Sequence, residues 1–147
     1  MRRIRQRDST GCGLACIAMV AGINYEDVRA IAVSKLGWDE TGDFYTGTRD
    51  LRDLAGYFGI AVGKRRRSFK SFNALPDTAI LANNYKEQTD TWHWVVFHRI
   101  EGKPVIYDPN QSIKNDKRRD FGRIKAKWFL PVLNYRDSYS ITKKKEG

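Results

Sequence analysis

From Gly13 to Ala21 the chain is apolar at every position, running Leu14, Ala15, Cys16, Ile17, Ala18, Met19, Val20. A helix without a polar face is buried on all sides, so this stretch is predicted as a central helix, ended by Gly22. Beyond it, Val28, Ile31 and Ala32 form one stripe of a second predicted helix, Tyr25 to Leu36, with Asn24 as its cap and Gly37 as its stop. Leu51, Leu54, Ala55 and Phe58 form the inward stripe of a third, Arg49 to Phe58, capped by Thr48 and followed by Gly59. After Gly59 the period changes. Ile60 to Val62 and Thr78 to Ala82 are short apolar runs, and His93 to Ile100 is apolar and rich in aromatics. Glu101-Gly102-Lys103 then offers a turn into Val105-Ile106-Tyr107, the pattern of a β-hairpin. Lys127 to Leu133 is the last predicted strand, with Pro131 weakening its end. Helices first and strands second argue for an α+β domain, its helices packed on an antiparallel sheet.

The 147 residues suit one domain at about 100–200 residues per domain, here placed at residues 1–142. The Lys143–Lys145 run with Glu146 and Gly147 is expected to be a basic disordered tail. With 41% hydrophobic and 12% aromatic residues, the chain is too apolar to be disordered. It holds no apolar run of about 18 residues or more, so no transmembrane helix is expected. The start Met1-Arg2-Arg3-Ile4-Arg5 mimics the basic end of a signal peptide. However, Gln6, Asp8, Ser9 and Thr10 separate it from a short apolar run, and a cytoplasmic protein is the expectation, a secreted or delivered effector the alternative. Two cysteines make neither a disulfide scaffold nor a four-cysteine zinc site, and finger-like Cys and His pairs are absent; no metal or cofactor is expected.

Four residues carry candidate chemistry: Gln6, Cys12, His93 and Asp108. A nucleophilic cysteine needs its thiolate form, which a helix N-terminus and a nearby imidazolium both favour. Cys12 stands where the buried helix begins, after Ser9-Thr10-Gly11, and Gly13 leaves room for a substrate backbone. His93 opens the long strand of the hairpin, and Asp108 lies at the end of its partner. A short turn can bring them side by side, the carboxylate holding one ring nitrogen and turning the other toward sulfur. Gln6 is placed to donate its amide to a developing oxyanion. Against this, a cysteine in an apolar helix is more often core, the reading adopted for Cys16. A histidine among aromatics is more often a satisfied sheet residue, and Asp108-Pro109-Asn110 is an ordinary turn signal. His98, five residues after His93 on the same strand, is expected on the opposite face.

The stretch from Gln6 to Gly22, with Gln six residues before a Cys-Gly pair and then Leu14-Ala15-Cys16-Ile17-Ala18-Met19, resembles the catalytic helix of the bacteriocin-processing, double-glycine-leader peptidases, which are papain-like cysteine peptidases. His93-Trp94-Val95-Val96 is similar to that family's histidine followed by strand residues, and Tyr107-Asp108-Pro109 to its Asp-Pro. Thr48 to Gly59 resembles the segment between its catalytic helix and sheet. The resemblance covers most of Gln6 to Asn110, in matching order. It implies a papain-like fold, with Cys12 as nucleophile, His93 as general base and acid, Asp108 as its orienter and Gln6 in the oxyanion hole. It also implies a peptide or protein substrate. Where that family usually carries Asp or Glu just before the nucleophile, this chain has Gly11. The same fold serves deamidases and acyl transferases of the transglutaminase type, including toxin and effector domains, and these remain open as alternatives.

The charge sharpens the choice of partner. The net charge is +10, yet Tyr25 to Ile60 carries seven acids against four bases, so the excess of bases lies elsewhere, at Arg2–Arg7, Lys64–Lys70 and Lys114–Lys127. Such clusters suit nucleic acid, anionic lipid or an acidic protein substrate, and basic runs are more often simply solvated faces. Phe69 and Phe72, set among bases, would be available to stack on single-stranded nucleic acid. With no nucleic-acid motif in the chain, that partner is the less favoured one, and a non-catalytic basic binding module is the rival to an enzyme.

Overall fold

The computed structural model describes residues 1–137, so the expected boundary at 142 and the basic tail lie outside the described residues. Helix α1 is Cys12–Ala21, α2 is Tyr25–Ser34 and α3 is Thr48–Tyr57. The strands are β1 Arg67–Ser68, β2 Thr78–Lys86, β3 Thr91–Ile100, β4 Lys103–Tyr107 and β5 Ala126–Pro131. They form one antiparallel sheet in the order β1-β5-β2-β3-β4.

Every residue of α1 after Cys12 is buried, as its uniform apolarity requires. Gly22 ends the helix in the left-handed conformation (φ 69°), its N–H returning to the Ala18 carbonyl. At the other end the N-cap is Gly11, which has no side chain to offer, so the first-turn N–H groups carry no side-chain cap. In α2, Asn24 accepts from the Asp27 N–H at 2.8 Å, the expected cap. The helix ends at Ser34, two residues earlier than its pattern suggests, and Gly37 (φ 74°) stands in the closing turn behind it. Thr48 is the first residue of α3 rather than its cap; Gly47 takes that place, and Leu51, Leu54 and Ala55 are buried as expected.

The middle strands read as continuous apolar runs because both faces of the sheet are covered. Ile80, Ala82, Trp94, Val96, Val105, Tyr107 and Leu130 pack with the helices. Ala79, Leu81, Val95, Phe97, Ile106 and Phe129 pack beneath Leu75, Ile124 and the rings of Phe69, Phe72 and Phe121. The Glu101-Gly102 turn between β3 and β4 has positive φ at both residues (51° and 78°), a hairpin conformation matched to strand twist. Ile60 to Val62 is not a strand: only an isolated bridge joins Val62 to Val132. The two-residue β1 beside β5 has no strand pattern in the sequence.

The two strands of the hairpin are unequal in length. The last pair between β3 and β4 is Val96 with Tyr107, so β3 overhangs β4 by residues 91–95. Helix α1 packs against β3, and its N-terminus meets that overhang.

Candidate functional site

Cys12 is partly exposed at the start of α1, with Cys16 one turn inside it and wholly buried. Where β4 has stopped, the Trp94 backbone N–H donates to Cys12 Sγ at 3.4 Å. The sulfur therefore sits at a helix N-terminus with no side-chain cap and also receives a strand N–H. Burial, with the nearby Cys12 and Asp108 charges behind it, pushes the Cys16 thiol well above its ordinary value. Cys12 is the accessible cysteine and Cys16 the buried one, the difference in burial expected from their places on the helix.

His93 Nε2 lies 2.6 Å from Asp108 Oδ1, which leaves Nδ1 for the sulfur side. Continuing the β3–β4 register three pairs past Val96–Tyr107 would set Asn110, not Asp108, opposite His93. The contact with Asp108 is thus oblique, made after the ladder has ended. Burial works against a charged imidazole, but the hydrogen bonds to Asp108 and Cys12, and the charges behind them, overcome it and hold the His93 pKa at about 9. Burial likewise works against the Asp108 carboxylate, which is 2% exposed. The His93 hydrogen bond and charge, the Asn110 N–H and Arg118 outweigh it and hold the carboxyl below its ordinary range.

Cys12 and His93 open onto a cleft of about 260 Å³ lined also by Ser9, Thr10, Tyr45–Gly47, Asp90–Trp92 and Trp94, and Asp108 lies buried behind His93. Gln6 lies near this group but does not line the cleft; it borders a neighbouring cavity with Arg2, Arg5, Arg7 and Tyr25. Its Nε2 donates to the Asp8 and Ser9 carbonyls at 3.1 and 2.9 Å, and its Oε1 is buried without a partner. In this conformation both amide protons are in use, so donation to an oxyanion requires the side chain to turn.

Gly13 does not leave room for substrate. A Cβ there would lie 2.6 Å from Thr46 Oγ1, so its missing side chain is filled by the 44–47 segment, which Trp94 Nε1 ties down through the Thr46 carbonyl at 2.7 Å. Gly11, where the resembling family carries an acid, has the same kind of cause: a Cβ would collide with the Tyr25 hydroxyl. That hydroxyl donates to Asp8 at 2.5 Å, and Arg29 pairs with the same carboxylate at 3.2 Å. His98 is buried away from the site, 2.9 Å from the Thr78 hydroxyl, and burial lowers its pKa.

The basic clusters separate into different uses. Arg3 is a buried brace whose guanidinium donates to the carbonyls of Asp108, Asn110 and Ile113 at 2.6–2.7 Å. Arg66 covers the Trp128 ring and Lys127 the Tyr85 ring. Phe69 packs edge to face on Phe72, which packs in turn on Phe97 and Phe121, so both belong to the far-side core and are not free to stack on bases. Sequence reasoning missed Arg3, Arg118, Thr46 and the Trp94 N–H. Nothing in a basic run distinguishes an arginine that folds inward, and no pattern marks a backbone N–H left over by a short neighbouring strand.

The raised His93 pKa makes a stability prediction. A histidine that holds its proton more tightly folded than unfolded stabilises the fold fully below the unfolded value, about 6.5, and loses that contribution as pH rises through 9. The difference amounts to at most about 3 kcal/mol. Urea denaturation should show wild type losing stability relative to His93→Gln between pH 6.5 and 9. Parallel curves for the two proteins would contradict a proton held between Asp108 and Cys12.

No curated protein matches the chain. Among solved structures, the crystal structure of a double glycine motif protease from an AMS/PCAT transporter, in complex with the leader peptide, is similar over 90% of this chain and 91% of that one. The TM-score is 0.59 at 21% identity, a likeness of fold. It agrees with the α+β, papain-like arrangement of three helices on a five-stranded antiparallel sheet. Among the described residues no helix is long and apolar enough to cross a membrane. The model of the peptidase C39 family matches residues 1–130, nearly the whole of the described chain, and the protein belongs to the peptidase C39 family, a family of cysteine peptidases.

Proposed function

We propose that the protein hydrolyses an amide bond in a peptide or protein, with Cys12 as nucleophile, His93 as general base and acid, and Asp108 orienting His93. The observation that carries this reading is the continuous chain of contacts from Cys12 through His93 to Asp108, at the mouth of a cleft. His93 Nδ1 takes the Cys12 thiol proton as Sγ attacks the carbonyl carbon, forming the C–S bond. The carbonyl electron pair moves onto oxygen, and the first-turn N–H groups of α1, which carry no side-chain cap, are available to receive it. Collapse of the oxyanion expels the amine, which takes the proton from His93 Nδ1. Water then attacks the thioester as His93 accepts a proton, and the acid product leaves as the thiol is restored. Asp108 stays ionised throughout and fixes which nitrogen faces sulfur. Gln6 joins as an oxyanion donor by turning its amide away from Ser9.

The neighbouring double glycine motif protease is described with a leader peptide bound, which supports a peptide as the substrate class here. A side-chain amide or an amine acceptor would use the same thioester, giving a deamidase or acyl transferase. Product masses distinguish them. On a panel of peptides with and without a Gly-Gly pair, peptidase activity splits the chain with the gain of one water, whereas deamidation shifts the mass of an intact peptide by about one dalton. Intact, deamidated peptides would replace this reading with the deamidase one.

The positive charge favours an acidic substrate. Arg2 and Arg5 are exposed beside Gln6, and Arg7 is exposed though it pairs with Glu26 at 2.9 Å. Because the Debye length shrinks from about 10 Å at 0.1 M to about 3 Å at 1 M, kcat/KM should fall with salt while kcat holds. A flat salt profile would remove the acidic substrate from the proposal.

A further inference from the structure

We infer that Arg118 is a positioning residue for the reaction: it holds the free oxygen of Asp108 so that the carboxylate can present only one edge to His93. The inference rests on the Cys12–His93–Asp108 reading and adds a residue behind it.

Asp108 is fixed at three points. Its carbonyl accepts from Arg3 Nε at 2.6 Å. Its Oδ1 accepts from the Asn110 N–H at 2.9 Å and faces His93 at 2.6 Å. That leaves Oδ2, which Arg118 Nη1 reaches at 2.7 Å. A carboxylate held by one oxygen can rotate about its own axis; one held by both cannot, and its direction then sets the direction of the ring.

Arg118 is itself built in. Its N–H donates to the Ile106 carbonyl at 2.8 Å and its carbonyl accepts from the Ile106 N–H at 2.9 Å, which pins the backbone to β4 two residues from Asp108. Nε and Nη2 both bond Asp120, each at 2.9 Å, in a bidentate pair that orients the guanidinium plane. The side chain is 13% exposed, with Asp108 buried on one side and Asp120 half exposed on the other. Lys114, Lys117, Arg119 and Arg123 line the same cavity as Arg118, yet none of them bonds Asp108. The titratable groups that act on the His93 ring are Cys12 from α1 and Asp108 after β4, and Tyr45 and Asp90 line the same cleft.

The test compares Arg118→Gln, Arg118→Lys and Asp120→Asn in the full chain, reading the His93 ring titration by NMR together with kcat and KM. In Arg118→Gln the second oxygen of Asp108 is left without a cation, and the carboxylate turns to find one. The His93 midpoint is expected to fall from about 9 toward the ordinary histidine value. kcat should drop about 10- to 100-fold with KM little changed. Arg118→Lys should recover part of both, since it restores charge without the fork. Asp120→Asn loosens Arg118 from its exposed side and should shift both readings the same way by less, so the test survives if Arg118→Gln does not fold. An unchanged His93 midpoint in folded Arg118→Gln would overturn the inference, making Arg118 a stabilising residue only. A midpoint that rises would also overturn it, because Arg118 would then act only by repelling the imidazolium charge. Since the midpoint is read without turnover, this result stands apart from whether Cys12 is the nucleophile.

Discussion

Cys12→Ala is expected to abolish turnover, by about 10⁴-fold or more, while the protein folds as before. The two halves of that expectation come from different features of the same position. Alanine is the best helix former and Cys12 is only partly buried; what is lost is the sulfur's contacts with the Trp94 N–H and His93, so the stability change should stay within about 2 kcal/mol. The chemistry has no substitute, because Cys16 one turn away is sealed in the core with its thiol pushed well above the ordinary range. The complementary variant, Cys16→Ala, should keep turnover and lose about 1–2 kcal/mol from the small cavity it leaves. Iodoacetamide followed by peptide mass spectrometry checks the division directly: Cys12 should label in the native protein and Cys16 only after denaturation. Wild-type activity in Cys12→Ala would end the nucleophile reading, whatever the family.

Asp108→Asn should be nearly as damaging, for a reason of donors and acceptors rather than size. In the native site Oδ1 and Oδ2 both accept, one facing His93 and the other taking Arg118. Asparagine offers one oxygen and one NH₂. With the oxygen kept toward His93, the NH₂ faces the Arg118 guanidinium, two donors together in a buried place. With the oxygen turned to Arg118, the NH₂ donates to His93 Nε2 and forces the ring proton onto Nδ1, where it can no longer accept one from the thiol. Either arrangement lowers kcat, by about 10²- to 10⁴-fold. Removing a partner from a buried pair costs about 3–5 kcal/mol, and the loss here should sit at or below the lower end because Arg118 keeps its bidentate pair with Asp120. The acid limb of stability should also flatten. A carboxylate whose folded pKa is depressed stabilises above its ordinary range and loses that contribution as pH falls through the lower value, and Asn has nothing to lose. Kinetics with urea titrations between about pH 2 and 7 test both parts. A variant with wild-type kcat would mean that Asp108 braces the loop and does not orient His93.

Much of this was legible in the chain. The uniform apolarity of Leu14 to Val20 dictated a helix buried on every side, and the strand–Glu101-Gly102–strand pattern dictated a hairpin, because side-chain burial and turn conformation are local demands. The order of helices and strands pointed to the α+β class, and Cys12 at the head of the helix with His93 and Asp108 on the hairpin are three groups that the fold links in one chain of contacts. Where an element's edge depended on propensity alone, as at the end of α2 or the cap of α3, the boundary moved by one or two residues.

What only the tertiary structure decided were contacts between segments far apart in sequence. Gly13 looked like space for substrate, but Thr46, brought back across α1, fills it. Phe69 and Phe72 looked like a stacking surface among bases, but the sheet's second face needed covering and took them. The sequence placed Arg3 and Arg118 in runs of positive charge, where each reads as a solvated side chain. Folding turned Arg3 onto the Asp108 carbonyl and Arg118 onto its carboxylate. The Trp94 N–H reaches Cys12 only because β4 ends two residues short of it. Hydrophobic periodicity records which face of an element is buried, and that is written residue by residue. The partner of a polar group is chosen by whatever the fold carries past it, and no local pattern in the sequence encodes it.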